Sequence, residues 1–282
     1  GAPSNAAVFG GVLPSLRDKG IPAITTTDGP SGIRLKAKAS LMPIGTSVAS
    51  TWNLEGAYEL YREVGLEMVQ LGSDVLLAPG INIHRNPLCG RNFEYYSEDP
   101  YLTGKMAAAV VKGLQSAGVS ACPKHFACNN QEVNRTHNDS RLSERALREI
   151  YLKGFEICVK EAQPWNIMTS YNKINGVWGH YNYELCVRIL RGEWGFNGSI
   201  MTDWWMRSSK SPEFPKLADQ AYRVRAGVNV LMPGGGRTGK RKPDGTLLRT
   251  LGKEGGITLG ELQQNAKYIL NYALNSSAMN KE

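Results

Sequence analysis

Asp203 has the neighbours that most favour chemistry. It closes an apolar run, Ser199-Ile200-Met201-Thr202, and precedes Trp204 and Trp205, which sets a carboxylate beside a flat apolar face. A carboxylate can attack an anomeric carbon, and an indole face suits the C–H surface of a sugar ring. The blander role for Asp203 is to cap a following helix. Polar or aromatic groups end the other apolar runs as well: Thr27-Asp28, Asn82-Ile83-His84-Arg85, Lys124-His125-Phe126, Ser170-Tyr171-Asn172 and Pro233-Gly234. Lys124 and His125 supply a cation and an imidazole suited to sugar hydroxyls; their blander role is a salt bridge to Glu94 or Glu98. Arg91 and Glu94 lie in a Gly-Arg-Asn-Phe-Glu loop that is long for a simple connector.

Other motifs carry less. Gly234-Gly-Gly-Arg-Thr-Gly-Lys240 has the spacing of a phosphate-binding loop, but Arg241 stands where a Ser or Thr would hold magnesium. Pro243-Asp244-Gly245 then turns the chain where a helix is required. Gly45-Thr-Ser-Val-Ala49 is an imperfect nucleophile elbow, with Ser47 inside a short β-like run. His84, His125, His137 and His180 lack metal-ligand spacing, so neither a metal nor another cofactor is expected.

These groups need elements to position them. Ile21–Thr27, Asp74–Ala78, Val119–Phe126, Asn166–Ser170, Gly198–Thr202 and Val228–Met232 read as strands, with Ser47–Thr51 a short further candidate. Between them, Asn53 caps a helix running to about Gly72 with Leu60, Val64, Met68 and Leu71 on one stripe. Asp99-Pro100 opens a helix carrying Met106, Val110, Val111 and Leu114. Ser143 caps a helix with Leu147, Ile150, Tyr151, Gly154, Ile157 and Cys158 inward, and Tyr183–Trp194, Lys216–Ala226 and Glu261–Leu274 complete the set. The strands are mostly continuous apolar runs, as strands covered on both faces should be. Seven such alternations without a linker fit an α/β fold, a TIM-like (β/α) barrel, better than an open doubly wound sheet. An eighth strand is not evident, so the barrel is expected to be irregular, or incomplete at its N-terminus with its first strand before Gly1. In a parallel barrel all strand C-termini open on one face, which would bring the polar groups into one pocket.

Composition bounds the rest. The chain has 282 residues, 41% hydrophobic and 21% charged, which excludes disorder, collagen and coiled coil. No apolar run reaches the ~18–20 residues of a membrane span, so no membrane partner is expected. The net charge of +8 raises the prior for polyanions, but the positive residues are scattered. The one dense cluster, Arg237 to Lys242, reads as a solvated loop, and no nucleic-acid partner is expected. Five cysteines form an odd set without CxxC spacing, and Cys158 and Cys186, in helix-like apolar surroundings, read as reduced core residues; this favours a cytoplasmic location over a disulfide scaffold. A secreted or periplasmic location follows instead if a signal was removed. The chain opens without an initiator Met, in a polar stretch, and is expected to be part of a longer protein.

Asp28-Gly-Pro-Ser-Gly-Ile-Arg34, Ala78-Pro-Gly-Ile-Asn-Ile-His-Arg85, Gly90-Arg-Asn-Phe-Glu-Tyr-Tyr-Ser-Glu-Asp-Pro100, Lys124-His-Phe126 and Met201-Thr-Asp-Trp-Trp205 together resemble glycoside hydrolase family 3, most closely its bacterial β-glucosidases. The resemblance runs from about Gly20 to Met232 and implies the same (β/α) barrel for residues 1–282. It implies that Asp203 is the nucleophile of a retaining β-glucosidase. Asp28, Arg91, Lys124 and His125 would hold the sugar hydroxyls, Tyr171 would orient the nucleophile, and Trp204 would form an aromatic wall. Two-domain members take their acid/base Glu from an α/β-sandwich domain for which this chain has no room. A companion sandwich domain or chain is therefore the expected partner, beside a β-glucoside or β-linked oligosaccharide substrate. Two alternatives stand. One is a single-domain β-N-acetylhexosaminidase using His137, of which His137-Asn-Asp-Ser140 is a faint echo without the Pro-Gly-His-Gly marker. The other is a carbohydrate-binding barrel without catalysis.

Overall fold

The computed structural model of the chain describes residues 7–233 and 245–280. The glycine-rich 234–240 run, the basic cluster 237–242 and the Gly234 end of the last polar group lie outside the described residues.

The elements follow one another as strand and helix. Strand β1 (Ala7–Gly10) leads through the short helix α1 (Pro14–Arg17) to β2 (Ala23–Asp28), with which β1 pairs antiparallel, Ala7 opposite Thr26. Helix α2 (Gly45–Ser50) precedes the long α3 (Leu54–Gln70), whose cap is Asn53: its side chain accepts from the Gly56 N–H. Then come β3 (Val75–Leu77), α4 (Pro100–Ser116), capped by Asp99 with Pro100 at its first position, and β4 (Ser120–Ala121). A small side sheet holds β5 (Asp139–Ser140), which pairs parallel with a later strand. Next stand α5 (Glu144–Ala146), a π-helical turn (Leu147–Tyr151), α6 (Lys153–Ala162) and β6 (Asn166–Met168). The side sheet is completed by β7 (Lys173–Ile174) and β8 (Val177–Trp178). A π-helical segment (Glu184–Glu193) leads to β9 (Ser199–Met201), followed by α7 (Asp219–Arg225), α8 (Thr246–Thr250) and α9 (Leu259–Asn275).

The fold is a TIM-like (β/α) barrel with irregular strands. Strands β2, β3 and β4 are parallel neighbours, a bridge between Phe126 and Thr169 continues the ladder to β6, β6 pairs parallel with β9, and Met201 bridges to Val230. Among the described residues no bridge joins Val230 back to β1, so the ladder is an open circuit. The antiparallel β1 is its irregular end.

Side-chain alternation sorts the core into inside and outside. Ile24, Val75, Leu77, Cys122, Met168, Met201 and Val230 pack together in one cluster with Phe9 and Tyr272. Their neighbours Leu76, Ala121, Ile167 and Ile200 join the larger cluster formed with the helices. Tyr272, on α9, reaches back into the inner cluster, and its hydroxyl donates to the Asp74 carbonyl at 3.5 Å. The outer layer is tight where α3 meets α4. A Cβ on Gly113 would lie 2.3 Å from the Tyr58 carbonyl, so only glycine permits that approach.

Three sequence expectations are corrected. The Ser47–Thr51 run is the end of helix α2 and its C-cap rather than a strand, because Gly45, Val48 and Ala49 are the buried set, a spacing of i, i+3 and i+4. The elbow reading of Ser47 falls with it. In the helix after Ser143 the inward face changes part-way. Leu147 is buried, but Ile150 is 41% exposed and Ile157 half-buried, while Leu152, Phe155, Cys158 and Val159 are buried. The π-helical turn Leu147–Tyr151 adds a residue to its loop and so rotates everything after it by about one position. Finally, Val228–Met232 contributes a single bridge, and residues 119–126 pair regularly only at Ser120–Ala121. Pro123, which has no N–H to give to a ladder, interrupts that run. The five cysteines are free and buried.

Candidate active site

The C-terminal ends of β2, β6 and β9 and the loops after β3 and β4 surround a cavity of about 820 Å³. Asp28, Arg91, Lys124, His125, Tyr171, Asp203 and Trp204 all line it. The strands explain the convergence: except for Arg91, which the long loop after β3 carries, each side chain ends a parallel run or sits two to four residues beyond one, and those runs share a direction.

Asp203 lies two residues beyond β9 and is almost fully buried. Its Oδ1 accepts from the Trp204 N–H at 2.7 Å, and its Oδ2 faces His125 Nε2 at 3.6 Å. The Tyr171 hydroxyl lies close enough to the same carboxylate to favour its charged form. Burial pushes the Asp203 carboxyl above its ordinary range, and the Trp204 N–H, Lys124, Tyr171 and Arg91 oppose that without cancelling it. No helix follows Asp203 directly; the next begins at Asp219, so its hydrogen bond to Trp204 is local and its side chain belongs to the cavity. Burial, with the neighbouring Asp203, drives the Tyr171 phenol well above its usual range, so Tyr171 stays protonated with an O–H available to donate.

Lys124, 4% exposed, binds Asp28 Oδ1 at 3.0 Å, and Arg34 binds Asp28 Oδ2 at 2.9 Å. The blander role for Lys124, a bridge to Glu94 or Glu98, is therefore not the one found. Burial works against Asp28 ionising, but Lys124, then Arg34 and Arg91, outweigh it and hold the carboxyl below its usual range. Glu94 instead pairs with Arg91 through the guanidinium Nε. His125 is fixed by its backbone: Asn82 Nδ2 donates to its carbonyl and its N–H donates to Asn82 Oδ1, both at 2.9 Å. Its ring Nδ1 contacts the Tyr95 hydroxyl at 3.3 Å.

Burial, then the cations Arg91, Lys124 and Arg135, hold His125 neutral well below its usual pKa; burial beside Arg223 does the same for His180. Both imidazoles gain protons on unfolding at mildly acid pH, so the unfolded chain binds more protons there. The stability they allow is complete above pH ~6.5 and declines below it by about 1.4 kcal/mol per pH unit for each histidine. Urea midpoints measured from pH 8 to pH 5 should be flat above 6.5 and fall below it. A flat profile throughout would contradict neutral burial.

Not every polar strand end reaches the cavity. Asn82 and Asn172 are buried and bond backbone carbonyls, His84 Nε2 contacts the Asn92 carbonyl at 2.9 Å, and Phe126 is core. His137 is exposed, off the cavity, and contacts Thr136 and Arg207, while Asp139 pairs with Arg141. The cavity also recruits residues the sequence did not single out. Arg135 stands over the Tyr171 ring at 4.4 Å, and Phe93, Trp205 and Leu41 form an apolar rim. Arg135 follows Glu132 by three residues in an aperiodic stretch, which offered only an ion-pair spacing as a signal. Among the described residues no group of three or more His, Cys, Asp or Glu side chains is arranged to hold a metal ion, and no helix is long and apolar enough to cross a membrane.

Residues 13–271 match the glycosyl hydrolase family 3 N-terminal domain. The chain is 48% identical over 280 residues to a β-glucosidase of Ruminococcus albus, covering 98% of this chain and 29% of that protein. It is 44% identical over 234 residues to an exo-α-(1→6)-L-arabinopyranosidase of Bifidobacterium longum, covering 78% of this chain and 30% of the relative. The solved structure of a β-glucosidase from Paenibacillus barengoltzii superposes with a TM-score of 0.88 at 47% identity, covering all of this chain and 31% of that one. β-Glucosidase 3B of Thermotoga neapolitana in complex with glucose superposes with a TM-score of 0.83 at 42% identity, over 95% of this chain and 37% of that one. The chain thus spans about a third of the length of these relatives. A domain match over most of the sequence and near-complete coverage at this identity place the chain in glycosyl hydrolase family 3.

Proposed function

We propose that residues 1–282 are the barrel domain of a retaining β-glucosidase that removes terminal non-reducing β-D-glucosyl residues. The observation that carries this is Asp203: a buried carboxylate lining an open cavity, with one oxygen tied to a backbone N–H and the other 3.6 Å from the His125 imidazole. In the first step Oδ2 attacks the anomeric carbon, the glycosidic C–O bond breaks, and the leaving oxygen takes a proton from a general acid. In the second, water attacks the glycosyl ester, its proton passes to the same group acting as base, and Asp203 leaves as carboxylate. The Tyr171 hydroxyl keeps the attacking carboxylate oriented. The neutral imidazole of His125 and the Lys124–Asp28 pair are groups for the sugar hydroxyls, with Arg91 beside them and Trp204 as the apolar wall.

The acid/base is proposed to be a Glu of a companion α/β-sandwich domain. Of the carboxylates on the cavity wall, Asp28 is held by Lys124 and Arg34 and Glu94 by Arg91, so neither is free to carry a proton to the leaving group. The greater length of the relatives is consistent with such a domain. Loss of that acid costs ~10²–10⁴-fold on poor leaving groups. A hexosaminidase using His137 is not favoured by its exposed position off the cavity.

The test is trapping with 2,4-dinitrophenyl 2-deoxy-2-fluoro-β-D-glucoside, whose leaving group departs without a proton. The expected result is one added fluoroglucosyl mass, mapped by digestion to Asp203. A folded protein that takes no label would overturn the glucosidase reading in favour of a sugar-binding barrel.

A further inference from the structure

Asp203 touches two side chains that are themselves held from behind by one ion pair. The Arg135 guanidinium sits 4.4 Å over the centre of the Tyr171 ring, and both Tyr171 and Asp203 line the cavity, their polar groups close enough to influence each other electrostatically. Arg135 Nη1 donates to Glu132 Oε2 at 2.5 Å, and Glu132 Oε1 accepts from Asn129 Nδ2 at 3.1 Å. The Asn129 amide also reaches the Tyr95 hydroxyl at 3.4 Å, and that hydroxyl contacts His125 Nδ1 at 3.3 Å. His125 Nε2 faces Asp203. A single loop, from Asn129 to Arg135, thus backs both partners of the carboxylate.

We propose that Arg135, anchored by Glu132, is a positioning residue that acts on Asp203 through the ring of Tyr171. A cation over an aromatic face is attracted to the ring's negative quadrupole, so the stack fixes the ring's tilt. A fixed tilt aims the phenolic O–H at the carboxylate. The nearby positive charge also lowers the cost of polarising that O–H, in the same direction as its electrostatic influence on the phenol. The planar guanidinium is what the stack requires: lysine would keep the charge without the flat face. The proposal rests on the reading that Asp203 is the attacking group, and it adds that the group's aim is set one residue further back.

The test uses protein labelled with ¹³C at the aspartate carboxyls, the Asp203 signal being assigned by its loss in Asp203→Asn. Lys124, Arg91 and His125 also face that carboxylate and are kept in every variant. Arg135→Met should move the Asp203 titration to higher pH, and in a Tyr171→Phe background the same change should move it far less. On 2,4-dinitrophenyl β-glucoside, Arg135→Met should lower kcat by about tenfold with KM little changed, and Arg135→Lys should recover only part of the loss. An unmoved titration, an equal shift in both backgrounds, or a loss confined to KM would overturn the proposal. Failure of the unmutated protein to take the 2-fluoroglucosyl label would instead sink the glucosidase reading, and the titrations would still decide the role of Arg135.

Discussion

Replacing Asp203 by alanine is expected to abolish turnover of 2,4-dinitrophenyl β-glucoside, by ~10⁴-fold or more, while leaving the protein folded. No other carboxylate can substitute, because Asp28 and Glu94 are engaged by cations. Azide supplied to Asp203→Ala should restore part of the rate. It would attack the anomeric carbon from the vacated face, form a C–N bond and expel dinitrophenolate, so the product is the α-glucosyl azide. Recovery of that product separates loss of a nucleophile from loss of fold. Asp203→Asn should be equally inactive yet more stable. The Asp203 carboxyl is held above its ordinary range by burial, so the folded protein binds its proton more tightly than the unfolded one. Keeping it ionised at neutral pH therefore costs stability, a cost the amide removes while still accepting from the Trp204 N–H. A rise of ~1–4 °C in melting temperature at pH 7 is expected, shrinking as the pH falls toward that of the protonated carboxyl. A lower melting temperature would contradict a strained nucleophile.

The second large effect is expected from Lys124→Met. Lys124 is buried, binds Asp28 at 3.0 Å and lies close enough to favour the charged form of Asp203. Its removal leaves Asp28 with Arg34 on the more exposed side of the pair and leaves Asp203 with less positive charge nearby. The expected loss in kcat/KM is ~10²–10³-fold. Stability should fall by about 1–3 kcal/mol, below the ~3–5 kcal/mol of a fully buried pair, because Asp28 is a third exposed and keeps Arg34. The pH profile gives the sharper readout. The proposed mechanism requires ionised Asp203, so the acid limb of kcat/KM should move to higher pH in Lys124→Met. An acid limb that stays in place would mean that Lys124 contacts sugar without tuning the carboxylate.

Much of the site was legible because it lies at strand ends. Asp28, Lys124, His125, Tyr171 and Asp203 each follow an apolar run, and parallel strands bring such positions together whatever the exact register. The caps were legible for a related reason. Asn53, Asp99 and Ser143 act through hydrogen bonds to residues two or three positions away, so the local sequence contains the whole interaction. The failures share the opposite property. Five residues around Ser47 have no length over which a period can declare itself, and their helix is set by contact with the 92–95 loop, where Thr46 Oγ1 donates to the Asn92 or Tyr95 carbonyl. The rotated face after Ser143 depends on a single extra residue in a π-helical turn, which composition does not mark.

The same division separates the charges. By itself the sequence determined the alternation of strand and helix, the continuous apolar runs of strands buried on both faces, and the carboxylate followed by two indoles. All of these are set by side-chain period and near neighbours. Only the tertiary structure decided which cation meets which carboxylate. Lys124 binds Asp28 across 96 positions rather than Glu94 or Glu98, Arg91 takes Glu94, and Arg135 settles on Tyr171. Those choices are made where several strand ends exclude water from a shared cavity. There, an ion pair depends on distance and burial in three dimensions, and sequence separation carries no information about either.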